Sequence, residues 1–131
     1  MNLLFLATNI QNRGKYLWDL YHDLDDKYKG EFYLTIDDLV NRLRHPKKDL
    51  TIAVLLADSQ KELENILSVK DFFSDVRIIL ILPDRNKNTI IKGHTLFPRF
   101  LTYVDSDFNW VTAVLEKMLS NNNGGNKNKY Q

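Results

Sequence analysis

The sequence lacks several features that would point to a particular chemistry. Cysteine is absent, which excludes disulfide bonds, thiolate nucleophiles and cysteine-based metal sites. Glycine is scarce, with 5 residues among 131, and neither a P-loop nor a Gly-x-Gly-x-x-Gly pattern is present. No charge of one sign dominates, because 18 Lys and Arg face 17 Asp and Glu for a formal net charge of +1. We therefore expect neither a nucleic-acid-binding protein nor one held to a membrane surface by bulk charge.

Long hydrophobic runs are missing as well. No apolar segment approaches the roughly 20 residues that a membrane-spanning helix requires. The apolar start of the chain has no basic residue before it and is interrupted at Thr8 and Asn9, so it is not predicted to be a secretory signal. We expect a cytoplasmic protein in which hydrophobic residues, 44% of the sequence, form the core of one domain.

A regular alternation of strands and helices is present instead. Nearly continuous apolar runs predict strands at 3–7, 50–57 and 76–82. Segments 31–35 and 100–104 mix polar and apolar residues and predict two weaker strands. Apolar strands without alternation are typical of parallel sheets that are covered on both faces.

Helical periodicity occupies the intervals between these strands. The apolar residues that share a helical face are Leu17, Leu20, Tyr21 and Leu24; Ile36, Leu39, Val40 and Leu43; Leu63, Ile66 and Leu67; and Phe108, Val111 and Leu115 with Met118 or Leu119. Segment 84–99 has only Ile90 and Ile91 as apolar anchors, and it predicts a short or distorted helix followed by a loop.

Together these elements predict an α/β fold of five β-α units over residues 1–120. We expect a three-layer sandwich with a parallel five-stranded sheet in the order 2-1-3-4-5. That order makes the two least apolar strands, the second and the fifth, the outermost strands of the sheet. Segment 121–131 is rich in Asn, Gly and Lys without apolar periodicity, which predicts a flexible polar tail.

The order and spacing of these elements resemble the receiver domains of two-component response regulators, over about residues 2–120. In that family an acidic pair after the first strand holds magnesium, but residues 7–9 here read Ala-Thr-Asn. The phospho-accepting aspartate should end the third strand, but that strand is apolar through Ala57, and Asp58 follows only at the start of the helix.

The remaining two signature positions of the receiver family are also replaced. The fourth strand ends in Leu82-Pro83 in place of a Ser or Thr, and Val104-Asp105 stands where a lysine is expected. Phosphoryl transfer to a carboxylate needs a divalent ion and a cation that holds the product. Asp58 is therefore not predicted to be phosphorylated, and we interpret it as an N-cap of the third helix. The leading hypothesis is a pseudo-receiver that acts in signalling as a protein-interaction module.

The loop after the first strand provides an alternative. It opens the first predicted helix, and the free N–H groups of a helix N-terminus bind phosphates. Its candidate ligand-binding residues are Thr8, Asn9, Asn12, Arg13 and Lys15. On this reading the chain is a flavodoxin-like domain that binds a nucleotide or another phosphate-bearing small molecule.

The region from the fourth helix to the fifth strand is the most unusual in the sequence. Receivers use this region for partner binding and dimerisation, so the resemblance implies a homodimer or a protein partner here. The candidate surface residues are Arg85, Lys92, His94, Phe97 and Arg99. The competing interpretation is an irregular loop whose Leu96, Phe97 and Phe100 fill the core.

Acidic residues that follow several of the strands raise the question of a metal site. Asp58, Asp84, Asp105 and Asp107 are expected at the same edge of the sheet, and converging carboxylates bind magnesium or calcium. Each of them precedes or opens a helix, however, where a capping acid is expected in any case. We predict no metal and no cofactor. Because no nucleophile–base pair is apparent, an enzyme is not expected either.

Overall fold

The computed structural model of the chain describes residues 1–24, 26, 28–45, 49–107 and 109–118. The strands are β1 (Asn2–Leu6), β2 (Lys29–Tyr33), β3 (Thr51–Leu56), β4 (Arg77–Leu82) and β5 (Phe100–Tyr103). The helices are α1 (Asn12–His22), α2 (Ile36–Leu43), α3 (Gln60–Ser68), α4 (Lys87–His94) and α5 (110–118), with a 3-10 turn at Lys70–Phe73 after α3. The predicted tail, 121–131, lies outside the described residues, as do Phe108 and Leu119.

The five strands form one parallel sheet in the order β2-β1-β3-β4-β5. The predicted α/β class and the predicted strand order are therefore confirmed, and the fold is flavodoxin-like. The three inner strands are buried at all but one position, which explains why their sequences do not alternate. No helix in the described part of the chain is long and apolar enough to cross a membrane.

Alternate side chains of the sheet supply two separate hydrophobic cores. One core includes Leu4, Leu55 and Leu80 and is covered by α2, α3 and α4. The other includes Phe5 and Val54 and is covered by α1 and α5. This period of two follows from the pleat of a β-strand. Because the strands are parallel, their carboxyl ends lie together at one edge of the sheet, the carboxyl edge, and their amino ends lie together at the opposite amino edge.

Two local predictions were wrong in detail. Strand β2 runs over Lys29–Tyr33 and not 31–35, because the Thr35 hydroxyl instead caps α2 by accepting the Asp38 N–H at 3.1 Å. Helix α4 is short, as predicted, but only Ile90 of its two expected anchors packs against the core. Ile91 is 55% exposed, because neighbouring residues of a helix point about 100° apart.

Candidate functional site

The carboxyl edge of the sheet, between β1 and β3, is where open α/β folds usually bind ligands. Here the two sides of that crevice are bonded to each other. The Thr8 hydroxyl, after β1, donates to the Glu62 carboxylate on α3. The Asn9 amide donates to the Asp58 carboxylate, with 3.5 Å between Nδ2 and Oδ2. The loop after β1 and the start of α3 are therefore connected by direct side-chain hydrogen bonds.

The start of α3 explains how Glu62 reaches this position. Ser59 is the N-cap, and its hydroxyl accepts the Glu62 N–H at 3.2 Å. The Glu62 carboxylate turns back and accepts the Asp58 N–H at 3.3 Å, an arrangement close to the capping box. The interpretation of Asp58 as the N-cap was therefore wrong. Ser59 has that role, and the exposed Asp58 carboxylate contacts Asn9 instead.

Glu62 has a perturbed acidity. Partial burial, together with the nearby Asp58 carboxyl, raises the pKa of Glu62 to about 7. Both causes disfavour the ionised form, the first by desolvation and the second by repulsion between like charges. Among the described residues no lysine, arginine or histidine nitrogen lies within 4 Å of either carboxylate. Two adjacent acids therefore lie at this edge without a neutralising cation from the described part of the chain.

The predicted phosphate-binding loop does not converge on one point. Thr8 is hydrogen-bonded to Glu62, and Asn9 is hydrogen-bonded to Asp58. The Lys15 ammonium instead forms an ion pair with Asp19, one turn along α1, at 3.1 Å. Asn12 begins α1 with a φ of 51°. Gly14 allows the loop to pack closely, because a Cβ atom at this position would lie 1.9 Å from the carbonyl oxygen of Asn9.

Further along the same edge, the α3 and α4 helices are connected by a second set of hydrogen bonds. The Gln60 amide donates to Asp84 at 2.7 Å and to the buried Thr89 hydroxyl at 2.8 Å. Asp84 also accepts the Asn86 N–H at 2.9 Å. The hydrogen bonds from Thr89 and from the Asn86 N–H lower the pKa of Asp84. The Asp84 carboxylate is therefore satisfied by groups of the chain itself.

The Asp105 carboxylate is occupied in the same way. The Arg85 guanidinium donates to Asp105 with two nitrogens, the closer at 2.9 Å, and lies 4.1 Å above the Tyr103 ring. This hydrogen bonding lowers the pKa of Asp105, to which the positive charge of Arg13 contributes as well. No group of three or more histidine, aspartate or glutamate residues placed to hold a metal ion occurs in the described ranges.

The opposite, amino edge of the sheet has a different character. A cavity of about 550 Å³ lies between the 3-10 turn, the start of β4 and the segment that joins α4 to β5. Its apolar lining consists of Phe73, Val76, Leu96 and Phe97. Leu96 is buried in the core, as the competing interpretation expected, but Phe97 is 88% exposed and Phe100 37% exposed.

Phe97 also has an unfavourable backbone conformation. Its φ is 51°, in the left-handed region where a bulky side chain is an outlier. The Phe97 N–H ends α4 by donating to the His94 carbonyl at 3.0 Å, a role that glycine fills without steric cost. An exposed aromatic ring thus lies at a position where the backbone conformation favours glycine.

Charged residues of both signs surround this cavity. They are Lys70, Asp71, Asp75, Arg77 and Arg99. None of the five has an oppositely charged side chain within 4 Å in the part of the chain that the structure describes. The amino edge therefore combines an exposed aromatic ring, an apolar hollow and five charges that have no ion-pair partner among the described residues.

The predicted partner surface is divided between these two edges. Phe97 and Arg99 line the cavity at the amino edge, next to the exposed His94. Arg85 lies at the carboxyl edge in its ion pair, and the Lys92 ammonium is bonded to Glu64 of α3 at 2.6 Å. Sequence reasoning missed the charges of the 3-10 turn, because only the pairing of β4 with β5 brings residues 70–77 beside Arg99.

Comparisons with known proteins add no candidate function. No protein-family model, no curated protein and no solved structure matches the sequence. The fold and the contrast between the two edges of its sheet are therefore the observations from which a function can be inferred.

Proposed function

We propose that the chain is a receiver-like domain that does not accept a phosphoryl group and acts in the cytoplasm as a self-associating protein-interaction module of signalling. The strand order supports the receiver-like part of this proposal. The position of Asp58 supports the loss of phosphorylation, because its neighbours are Asn9 and Glu62 and not a lysine.

The exposed ring of Phe97 is the observation that carries the proposal. A strained backbone conformation costs on the order of 1–3 kcal/mol and commonly marks a functional position. Phe97 has such a conformation and is also 88% exposed, so its ring gains little from burial in the monomer. Burial of this ring against a partner would offset both costs. Aromatic residues, phenylalanine among them, are enriched in protein interfaces relative to the rest of the surface.

The amino edge is suited to a second copy of the same chain. In a two-fold symmetric dimer the same patch meets itself, so it must contain both parts of each contact. Phe97 provides a protruding ring beside a hollow of about 550 Å³, and a two-fold axis near Phe97 would bring each ring to the hollow of the other copy. The patch also contains three cations and two carboxylates that have no oppositely charged partner within the described ranges, so opposite charges can pair across the axis.

The proposal predicts that Phe97→Gly separates association from stability. Glycine adopts a positive φ without strain, so we expect the unfolding free energy of the monomer to be unchanged or higher by about 1 kcal/mol. Loss of an anchor residue is expected to weaken the dimer roughly thirtyfold or more. Sedimentation velocity over a range of concentrations measures the second effect, and urea unfolding measures the first.

Asn12→Gly is the matched control, because Asn12 has the same φ of 51° but lies on α1 at the carboxyl edge. This variant relieves a similar backbone conformation and should dimerise like the wild type. A wild-type chain that stays monomeric at every soluble concentration would contradict the proposal. Equal dimerisation of the wild type and Phe97→Gly would do so as well.

The loss of phosphorylation has a direct test. We expect no phosphoryl adduct on Asp58 after incubation with acetyl phosphate and magnesium, because no described cation is available to stabilise an acyl phosphate there. Intact-mass spectrometry detects such an adduct, and Asp58→Asn shows whether any signal belongs to this residue. A stoichiometric adduct that Asp58→Asn removes would overturn this part of the proposal.

A further inference from the structure

A second cavity, separate from the proposed dimer surface, lies at the carboxyl edge beside Glu62. It has a volume of about 310 Å³, at the lower end of the range for small-molecule sites. It opens between the β2–α2 loop and α3, with the buried side chains of Leu6, Leu56 and Ile66 in its lining. Leu34 lies in the same lining and is 46% exposed, so a ligand in this cavity would cover apolar surface that now faces water.

The polar lining of this cavity has a definite charge. Among the described residues Glu62 is the only ionisable one in the lining, beside the neutral Thr8, Thr35 and Asn65. Asp58 adds a second carboxylate near Glu62, and none of the described residues places a cation within 4 Å of either acid. The electrostatic potential of the cavity therefore favours a cation and disfavours a phosphate or a carboxylate.

The lining also distinguishes between kinds of cation. Magnesium and calcium take six or more oxygen ligands, whereas the lining of this cavity offers one carboxylate and three neutral polar side chains beside five aliphatic ones. An organic ammonium ion needs only hydrogen-bond acceptors around its charge, and its hydrocarbon part suits the leucine and isoleucine walls. The volume of about 310 Å³ limits the ligand to a small molecule and excludes a peptide.

We propose that this cavity binds a small primary amine, with its ammonium group at the Glu62 carboxylate and its compact apolar body against Leu6, Leu56 and Ile66. This inference goes beyond the proposed self-association, which uses the other edge of the sheet. A bound amine would supply a counter-charge that no described residue provides to Glu62 and Asp58. It would also cover the exposed part of Leu34.

The test uses three probes of similar shape and different charge. Benzylamine, benzyl alcohol and benzoate are each titrated into the full chain and followed by amide proton–nitrogen correlation spectra. We expect benzylamine to shift the signals of residues 34–36 and 62–66. Because both probes can donate to the Glu62 carboxylate but only benzylamine adds an opposite charge, benzyl alcohol should bind roughly tenfold more weakly. Benzoate should not bind.

Two variants locate the effect at Glu62. Glu62→Gln removes the charge and keeps one carbonyl oxygen that can accept a hydrogen bond, and it should weaken benzylamine binding roughly tenfold or more. Glu64→Gln is the matched control, because it removes a charge from the same helix at a residue that is bonded to Lys92 outside the cavity. The correlation spectrum of each variant also shows that it is folded.

The pH dependence adds an independent readout. Only the ionised Glu62 attracts an ammonium ion, and Asp58 is the charged group that faces it. Benzylamine affinity should therefore rise between about pH 6 and about pH 8 in the wild type and stay flat in Glu62→Gln. Equal binding of benzylamine and benzyl alcohol, an unchanged affinity in Glu62→Gln, or no shifts at residues 62–66 would each overturn the inference. None of these outcomes depends on whether the chain dimerises.

Discussion

The two edges of the sheet differ in what their polar residues contact. At the carboxyl edge, Thr8, Asp58 and Asp84 are bonded to neighbouring loops or helices of the same chain. At the amino edge, Asp75 and Arg99 have no oppositely charged partner among the described residues, and Phe97 is 88% exposed. The edge that usually binds ligands in this fold is thus connected internally, whereas charged groups of the opposite edge have no ion-pair partner in the described ranges.

This difference indicates which groups of the chain contribute to folding and which are free to take part in an interaction. Groups that bond within the chain contribute to its folding, and a substitution there should be felt in the unfolding free energy. Groups without internal partners contribute little to folding, and they are free to serve an interaction. Stability measurements at the two edges therefore test the contrast directly.

The largest stability effect is expected at Gly14 of the carboxyl edge. In Gly14→Ala the new Cβ would overlap the Asn9 carbonyl oxygen at 1.9 Å, and relief requires the backbone of the loop to move. We expect a loss of about 1–3 kcal/mol in the unfolding free energy measured with urea. Gly93→Ala is the control in another helix, because its new Cβ would meet only leucine side chains, at 3.1 Å or more. Equal losses in the two variants would argue against a tightly packed loop.

A smaller effect is expected from the protonation of Glu62. The pKa of Glu62 is about 7 in the folded chain, above the value of 4.5 for a free glutamate. Between these two pH values the folded state therefore holds a proton that the unfolded chain has released. The unfolding free energy should therefore fall as pH rises from about 4.5 through about 7. Glu62→Gln should remove this decrease, and Asp58→Asn should reduce it. Parallel pH profiles of the wild type and Glu62→Gln would contradict the assigned acidity.

The smallest effect on stability is expected at the amino edge. Arg99→Ala and Asp75→Ala should change the unfolding free energy of the monomer by no more than about 0.5 kcal/mol, because neither side chain has an ion-pair partner among the described residues. The same variants should weaken self-association several-fold. A loss of stability without an effect on association would reverse the contrast between the edges.

Much of the fold could be predicted from the sequence, and the reasons are physical. Three apolar runs identified the buried inner strands, because helices cover both faces of a parallel sheet. The two mixed segments identified the two outermost strands. The bounds of β2 were less accurate, since an edge strand is only half buried and its end depended on Thr35 as a helix cap.

The site residues were harder to predict because they depend on contacts between distant segments. Glu62 resembles any exposed acid of an amphipathic helix until the fold brings Thr8 against it. Phe97 was named as a surface candidate, but its positive φ has no signature in the sequence. The charges at Asp71 and Asp75 join Phe97 only through the pairing of β4 with β5.

One measurement tests the central claim most directly, namely the amide proton–nitrogen correlation spectrum of the wild type as a function of protein concentration. Self-association through the amino edge predicts concentration-dependent shifts at residues 70–77 and 94–99. Signals of Thr8, Asp58 and Asp84, at the internally bonded edge, should stay constant. A spectrum that does not change up to the solubility limit, or shifts that cluster at the carboxyl edge, would contradict the account.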